Sequence, residues 1–158
     1  MDARTSQGAV AGYKAAVLAA DTYGEFFPAL TTVATADRAA RVLVVGAGVA
    51  GLHAISTARH LGARVTGYDI RPAAGSDITA LGATFLAAPG GDSEDALLGS
   101  IADFDVVITA AHMPGRKPPV LVTMDAVRRM RPGSVIVDLC AGPMGGNHGT
   151  GRLDRLRA

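Results

Sequence analysis

The chain has 158 residues, 49% of them apolar, with a mean hydropathy of +0.28, enough for one domain with a sizeable core. Its 15 basic and 14 acidic residues nearly cancel and form no long run of one sign, so neither nucleic acid nor an anionic membrane surface is expected as a partner. The apolar stretches fall short of the roughly 18 residues of a membrane helix, the first residues lack a signal-peptide layout, and the single cysteine, Cys140, makes neither an intrachain disulfide nor a metal cluster; the expectation is a cytoplasmic protein without membrane insertion or bound metal.

Residues near Gln7 to Phe26 place Ala11, Ala15, Leu18 and Ala19 on one helical face. A connector, FFPALTTVATADRAA, leads to Arg41. Short apolar runs then alternate with helical spacing: strands are expected near 41–45, 64–69, 83–86, 105–109 and 134–138, and helices near 49–61, 73–81, 94–102 and 123–130. Thr123 and Asp125 open the last helix, and Pro132-Gly133 closes it. Runs such as VLVV, DVVITA and SVIVDL are apolar on both faces, as strands of a parallel sheet covered on both sides are. Right-handed crossovers then predict an α/β, Rossmann-like, doubly wound sheet of about five strands in order 3-2-1-4-5, preceded by an N-terminal helix. Residues 1–40 are read as helix and connector, 41–140 as the dinucleotide-binding domain, and 141–158 as a glycine-rich tail. In that tail Arg152, Arg155 and Arg157 alternate with Asp154 and apolar residues and are expected to be solvated.

The segment RVLVVGAGVAGLHAI, residues 41–55, runs from strand through glycines into helix. Gly46, Gly48 and Gly51 have the G-x-G-x-x-G spacing: the first permits a tight turn, the second lets phosphate oxygens approach the backbone, and the third lets helix and strand pack closely. A pyrophosphate would rest on the amides that open the following helix, those of Val49 and Ala50. Asp69 ends the second strand about 20 residues further on, where a carboxylate accepts the adenosine ribose hydroxyls and repels a 2′-phosphate. NAD(H) is therefore expected over NADP(H), although Arg71 stands two residues on as a group able to meet a phosphate.

Three stretches, TSQGAVAGYKAAVLAA, GAGVAGLHAISTARHLGARVTGYDIRPAA and DVVITAAHMPGRKPPVLVTMDAVRRMRPGSVIVDL, resemble the NAD(H)-binding part of the α subunit of nicotinamide nucleotide transhydrogenase, a relative of alanine dehydrogenase. The resemblance covers nearly the whole chain. It implies the Rossmann half of a two-domain module, NAD(H) as ligand and a homodimer. It also places Asp2 and Thr5, which match the family's Asp and Ser, beside the nicotinamide; Asn147 and His112 are expected toward the same end, Ala110 is a further cofactor-binding candidate, and Asp2 joins His112 as a catalytic candidate. The family's first domain, its Arg and Gln near the nicotinamide and its long closing loop with a Tyr have no counterpart, and neither do the Lys and His that alanine dehydrogenases use.

Departures from the family pattern supply further candidates. His112 stands at the carboxyl end of strand four, where an imidazole can act as acid or base. Cys140 follows strand five and reads as a small buried side chain before it reads as a nucleophile. Asp138 either orients a partner or caps a turn, and His148 lies in the glycine-rich tail. His53 and His60 read as helix surface, and Tyr13 as packed against the sheet, because adjacency with Lys14 separates the two on a helix. Three functions fit: a transhydrogenase-like NAD(H)-binding protein needing a partner subunit or substrate, a free-standing small-molecule tailoring enzyme with His112 as acid/base, or a non-catalytic NAD(H)-sensing dimeric scaffold.

Overall fold

The computed structural model describes residues 3–87, 97, 99–112, 120–141 and 154–155. Helix α1 spans Ala3–Thr22, about one turn earlier than the sequence pattern indicates, and stops ahead of Gly24 and Pro28, neither of which continues a helix. Where a plain connector was expected, β1 (Leu30–Thr31) and β2 (Ala36–Asp37) form a small antiparallel hairpin. Its turn is closed by Thr32, whose amide donates to the Thr35 carbonyl at 2.7 Å and whose hydroxyl accepts the Ala34 and Thr35 amides at 3.3 and 3.0 Å. A threonine-based turn of this kind lacks the Asn-Gly signature that marks hairpins in sequence.

The larger sheet follows: β3 (Arg41–Val45), α2 (Val49–His60), β4 (Arg64–Tyr68), α3 (Ala74–Ala80), β5 (Thr84–Leu86), a 3-10 turn (Ile101–Asp103), β6 (Val106–Thr109), α4 (Met124–Arg129), β7 (Val135–Asp138) and β8 (Asp154–Arg155). The strands lie in the order β5-β4-β3-β6-β7-β8, the first five parallel, which is the expected 3-2-1-4-5 arrangement. The sixth strand is a correction. Asp154 and Arg155, expected in a solvated tail, pair antiparallel with Ile136 and Val135, since β7 otherwise presents an open edge of backbone donors and acceptors.

Alternation along the strands separates two cores. Val42, Val44, Val106, Ile108, Val135 and Val137 meet the small residues of α1 and α2 on one face. Leu43, Val45, Val107 and Ile136 meet Leu97, Ile101, Ala126 and Met130 on the other. Helix α1 belongs to the first layer, and its buried residues are Gly12, Ala15, Ala16 and Ala19. This face differs from the predicted one. Ala15 and Ala19 are shared, but Leu18 is 42% exposed, and Tyr13, expected against the sheet, is 51% exposed. Two helices in backbone contact select their smallest residues for the seam rather than their most apolar ones. A Cβ added to Gly12 would lie 2.0 Å from the Ala50 carbonyl oxygen of α2.

The amino-terminal end of the sheet is pinned by Asp105, which is 4% exposed. It accepts a two-pronged pair from Arg38 at 2.7 and 2.9 Å and the Arg41 amide at 2.8 Å. Burial is the largest influence on this carboxyl and raises its pKa. The hydrogen bonds from Arg38 and the Arg41 amide, with the positive charge of Arg38, outweigh burial and leave it below the ordinary value. Because the folded pKa lies below the unfolded one, its stabilisation is present above the ordinary carboxylate range and is lost as pH falls through the folded pKa. Asp105→Asn is therefore expected to cost about 1–3 kcal/mol at neutral pH and to flatten the acid limb of stability. Urea melts between pH 7 and pH 3 check this; an unchanged acid limb refutes the assignment.

Candidate dinucleotide site at the carboxyl edge

The carboxyl ends of four strands are stitched into one rim. The Gly46 amide donates to the Tyr68 carbonyl at 2.8 Å, Ala110 to Val45 at 2.8 Å and Leu139 to Thr109 at 2.9 Å. Between β3 and β6 the strand order reverses, and crevices at such a switch point take ligands. Gly46 turns here with φ of +99°, and a Cβ on it would sit 2.8 Å from the Ala111 amide. Both its backbone angle and its neighbours therefore demand glycine. Gly51 supports the turn from within α2: a Cβ there would lie 1.7 Å from the Gly46 oxygen. Gly48 is the opposite case, exposed, and a Cβ on it would find no described atom within 4 Å. Space beside Gly48 is thus clear of the described residues.

Among the described residues, no side chain caps the N-terminus of α2, and first-turn amides have no acceptor within their own helix. Val49 and Ala50 accordingly carry N–H groups and the positive end of the helix dipole at this opening. Helix α1 passes close by, since a Cβ on Gly8 would lie 3.3 Å from Val49. Thr5 is exposed about one turn earlier on α1.

Asp69 is buried at the end of β4. One carboxylate oxygen accepts the Arg71 amide and Nε, both at 2.9 Å; the other accepts the Ala47 amide at 2.8 Å and Arg71 Nη2 at 3.0 Å. Burial opposes its charge most strongly, but the hydrogen bonds from Arg71 and from the Ala47 and Arg71 amides prevail and lower its pKa. Arg71, read in the sequence as a residue able to meet a phosphate, is held on this carboxylate, and its pKa is raised by that hydrogen bond first. Nothing in the sequence marks this pairing.

Ala110 is buried at the rim, and His112 is exposed two residues beyond it. Asp2, Asn147 and His148 lie outside the described residues. Cys140 is half-buried, and burial first, then the charge of Asp138, pushes its thiol up to about 11; at neutral pH it is a thiol, not a nucleophilic thiolate. Asp138 accepts the Cys140 amide at 2.9 Å, a turn-capping bond. His53 and His60 are exposed on α2, and His60 Nδ1 donates to the Ser56 carbonyl at 2.7 Å.

One rim residue has no sequence signal. The hydroxyl of Thr109, at the end of β6, is buried with no hydrogen-bond partner among the described residues. Such orphans cost about 1–3 kcal/mol and call for an explanation where they occur. This one lies at the end of the strand that borders the switch point.

A doubly wound sheet with a glycine turn after its first parallel strand and a carboxylate at the end of the next together define a Rossmann-like domain. Residues 15–156 match the family described as alanine dehydrogenase/PNT, C-terminal domain. The chain belongs to that family.

It is 42% identical to the NAD(P) transhydrogenase subunit alpha of Cereibacter sphaeroides over 168 aligned positions, covering 93% of this chain and 32% of that protein. The crystal structure of a transhydrogenase from Sinorhizobium meliloti superposes with a TM-score of 0.87 at 45% identity, over 95% of this chain and 43% of that one. An L-alanine dehydrogenase structure follows with a TM-score of 0.79 at 28% identity, over 92% and 41%. The chain thus spans less than half the length of these relatives. Among the described residues, no helix is long and apolar enough to cross a membrane.

Proposed function

We propose that this protein binds NAD(H) as the dinucleotide-holding part of a transhydrogenase-like oxidoreductase unit, with a partner domain or subunit completing hydride transfer. The observation that carries this reading is the open space at Gly48 in front of the uncapped amides of α2, flanked by the tight turn at Gly46 and the carboxylate of Asp69. In it, Val49 and Ala50 hold the pyrophosphate, and Gly46 and Gly51 keep the turn close. Asp69 takes the adenosine ribose and, as a carboxylate, disfavours a 2′-phosphate. Thr5 and Ala110, with Asn147 and Asp2, belong to the nicotinamide end. When bound, the nicotinamide supplies the hydride acceptor or donor. The relatives named as transhydrogenase subunits support the assignment.

A cytoplasmic homodimer is part of the same proposal. Its support is the apolar stripe on the outer side of α1, where Val10, Tyr13, Val17 and Leu18 are each more than a third exposed and lack a cover among the described residues.

Fluorescence titration with NADH and NADPH tests the cofactor. The expected result is saturable NADH binding that is tighter than NADPH binding. Asp69→Asn weakens NADH by about tenfold or more and narrows the preference. Absence of NADH binding by the folded protein overturns the proposal.

A further inference from the structure

The carboxylate meant for the ribose is already full. An ionised carboxylate offers about four acceptor positions, and on Asp69 they are taken by the Ala47 amide, the Arg71 amide, Arg71 Nε and Arg71 Nη2. Asp69 accepts a ribose diol only if a donor leaves. The two main-chain amides are fixed, one by the glycine turn and one by the turn that follows β4. The other two donors belong to a single side chain that is 63% exposed. They act on different oxygens, as a fork, and a vicinal diol presents two O–H donors to a carboxylate in the same manner.

We infer that Arg71 is a built-in competitor of the adenosine ribose, occupying the diol positions on Asp69 in the free protein and leaving them when the dinucleotide binds. The inference rests on the proposed role of Asp69 and assigns Arg71 a further one, that of setting affinity and selectivity. Arg71 keeps the carboxylate ionised and oriented while the site is empty. It also sets a threshold: a ligand must return to Asp69 each hydrogen bond that it removes. A complete diol displaces both prongs, whereas a ligand missing the 2′-hydroxyl displaces one and leaves the other on Asp69, so Arg71 makes up part of the missing hydrogen bond and narrows the difference between the two ligands. Exchange is local, because among the described residues Nη2 has only one further hydrogen bond, at 3.4 Å to the Ala47 carbonyl.

The readout is the ratio of dissociation constants for 2′-deoxy-NADH and NADH, which isolates the diol from any effect of the Arg71 charge on the phosphates. Arg71→Met is expected to raise this ratio about two- to fivefold, the scale of a partly exposed ion pair. Arg71→Lys, which keeps the charge but not the fork, should raise it less, and Asp69→Asn combined with Arg71→Met should abolish the rise. In the unaltered protein, the Arg71 Nε–H signal in NMR should exchange faster with solvent on adding ADP-ribose and stay unchanged with inorganic pyrophosphate. A ratio that stays constant or falls in Arg71→Met, or an Nε–H that remains protected in the presence of ADP-ribose, overturns the inference while NADH binding by the unaltered protein still stands. Failure of the unaltered protein to bind NADH instead removes the underlying assignment of Asp69.

Discussion

Gly51→Ala is expected to lower NADH affinity by about tenfold or more and stability by about 2–3 kcal/mol, whereas Gly48→Ala lowers affinity to a similar extent with little change in stability. The difference follows from where each new methyl would go. At Gly51 it would lie 1.7 Å from the Gly46 oxygen and 2.8 Å from the Gly46 carbonyl carbon. Gly46 has little room to yield, because the backbone of Ala110 and Ala111 lies against it. The start of α2 must therefore swing outward, taking the Val49 and Ala50 amides from the phosphate position, so binding and folding suffer together. At Gly48 the methyl would meet no described atom within 4 Å, and the backbone there, with φ −77° and ψ −170°, suits alanine. Only a bound phosphate is obstructed. Urea denaturation beside NADH titration separates the two, and equal loss of stability in both variants, or full affinity in Gly48→Ala, contradicts the site.

Gly12→Leu is the second large effect, expected to destabilise the domain by about 3 kcal/mol. Replacing a mid-helix glycine ordinarily gains up to about 1 kcal/mol from helix propensity. Here the clash is the larger quantity. The Cβ alone would lie 2.0 Å from the Ala50 oxygen and 3.0 Å from the Ala54 amide, both backbone atoms of α2 that no rotamer change can move. Separation of α1 from α2 would open the seam lined by Ala15, Ala16, Ala19, Ala54 and Ala58, all buried. Gln7→Ala, at an exposed polar position of α1, should stay within about 0.5 kcal/mol and serves as the control. A Gly12→Leu variant that melts with the unaltered protein would show that the two helices are not held at this separation.

The strand positions and their order were legible because buried parallel strands leave continuous apolar runs such as VLVV and SVIVDL, and because crossover handedness restricts how they connect. The glycine turn was legible for a related reason: Gly46 and Gly51 answer separate steric demands in the structure at the spacing read from the sequence. The orientation of α1 was not, since ranking its positions by hydrophobicity favours Leu18 over Gly12, while close helix contact ranks them by size. Nor was the state of Asp69. Its position at a strand end is written in the sequence, but the fold of Arg71 back onto it depends on a turn geometry two residues long. The hairpin at Leu30–Thr31 and Ala36–Asp37 was missed because a threonine hydroxyl, rather than a glycine, closes its turn.

Pairing of Asp154 and Arg155 with β7 bears on how copies of this molecule meet. One border of the parallel array is covered by that short antiparallel addition, and the other ends in Thr84–Leu86, only three residues long. Among the described residues, neither border presents a long ladder of unsatisfied amides, so strand-by-strand growth from one molecule to the next is disfavoured. The proposed homodimer would then meet through helical surfaces, where side-chain shape rather than main-chain hydrogen bonding selects the mate.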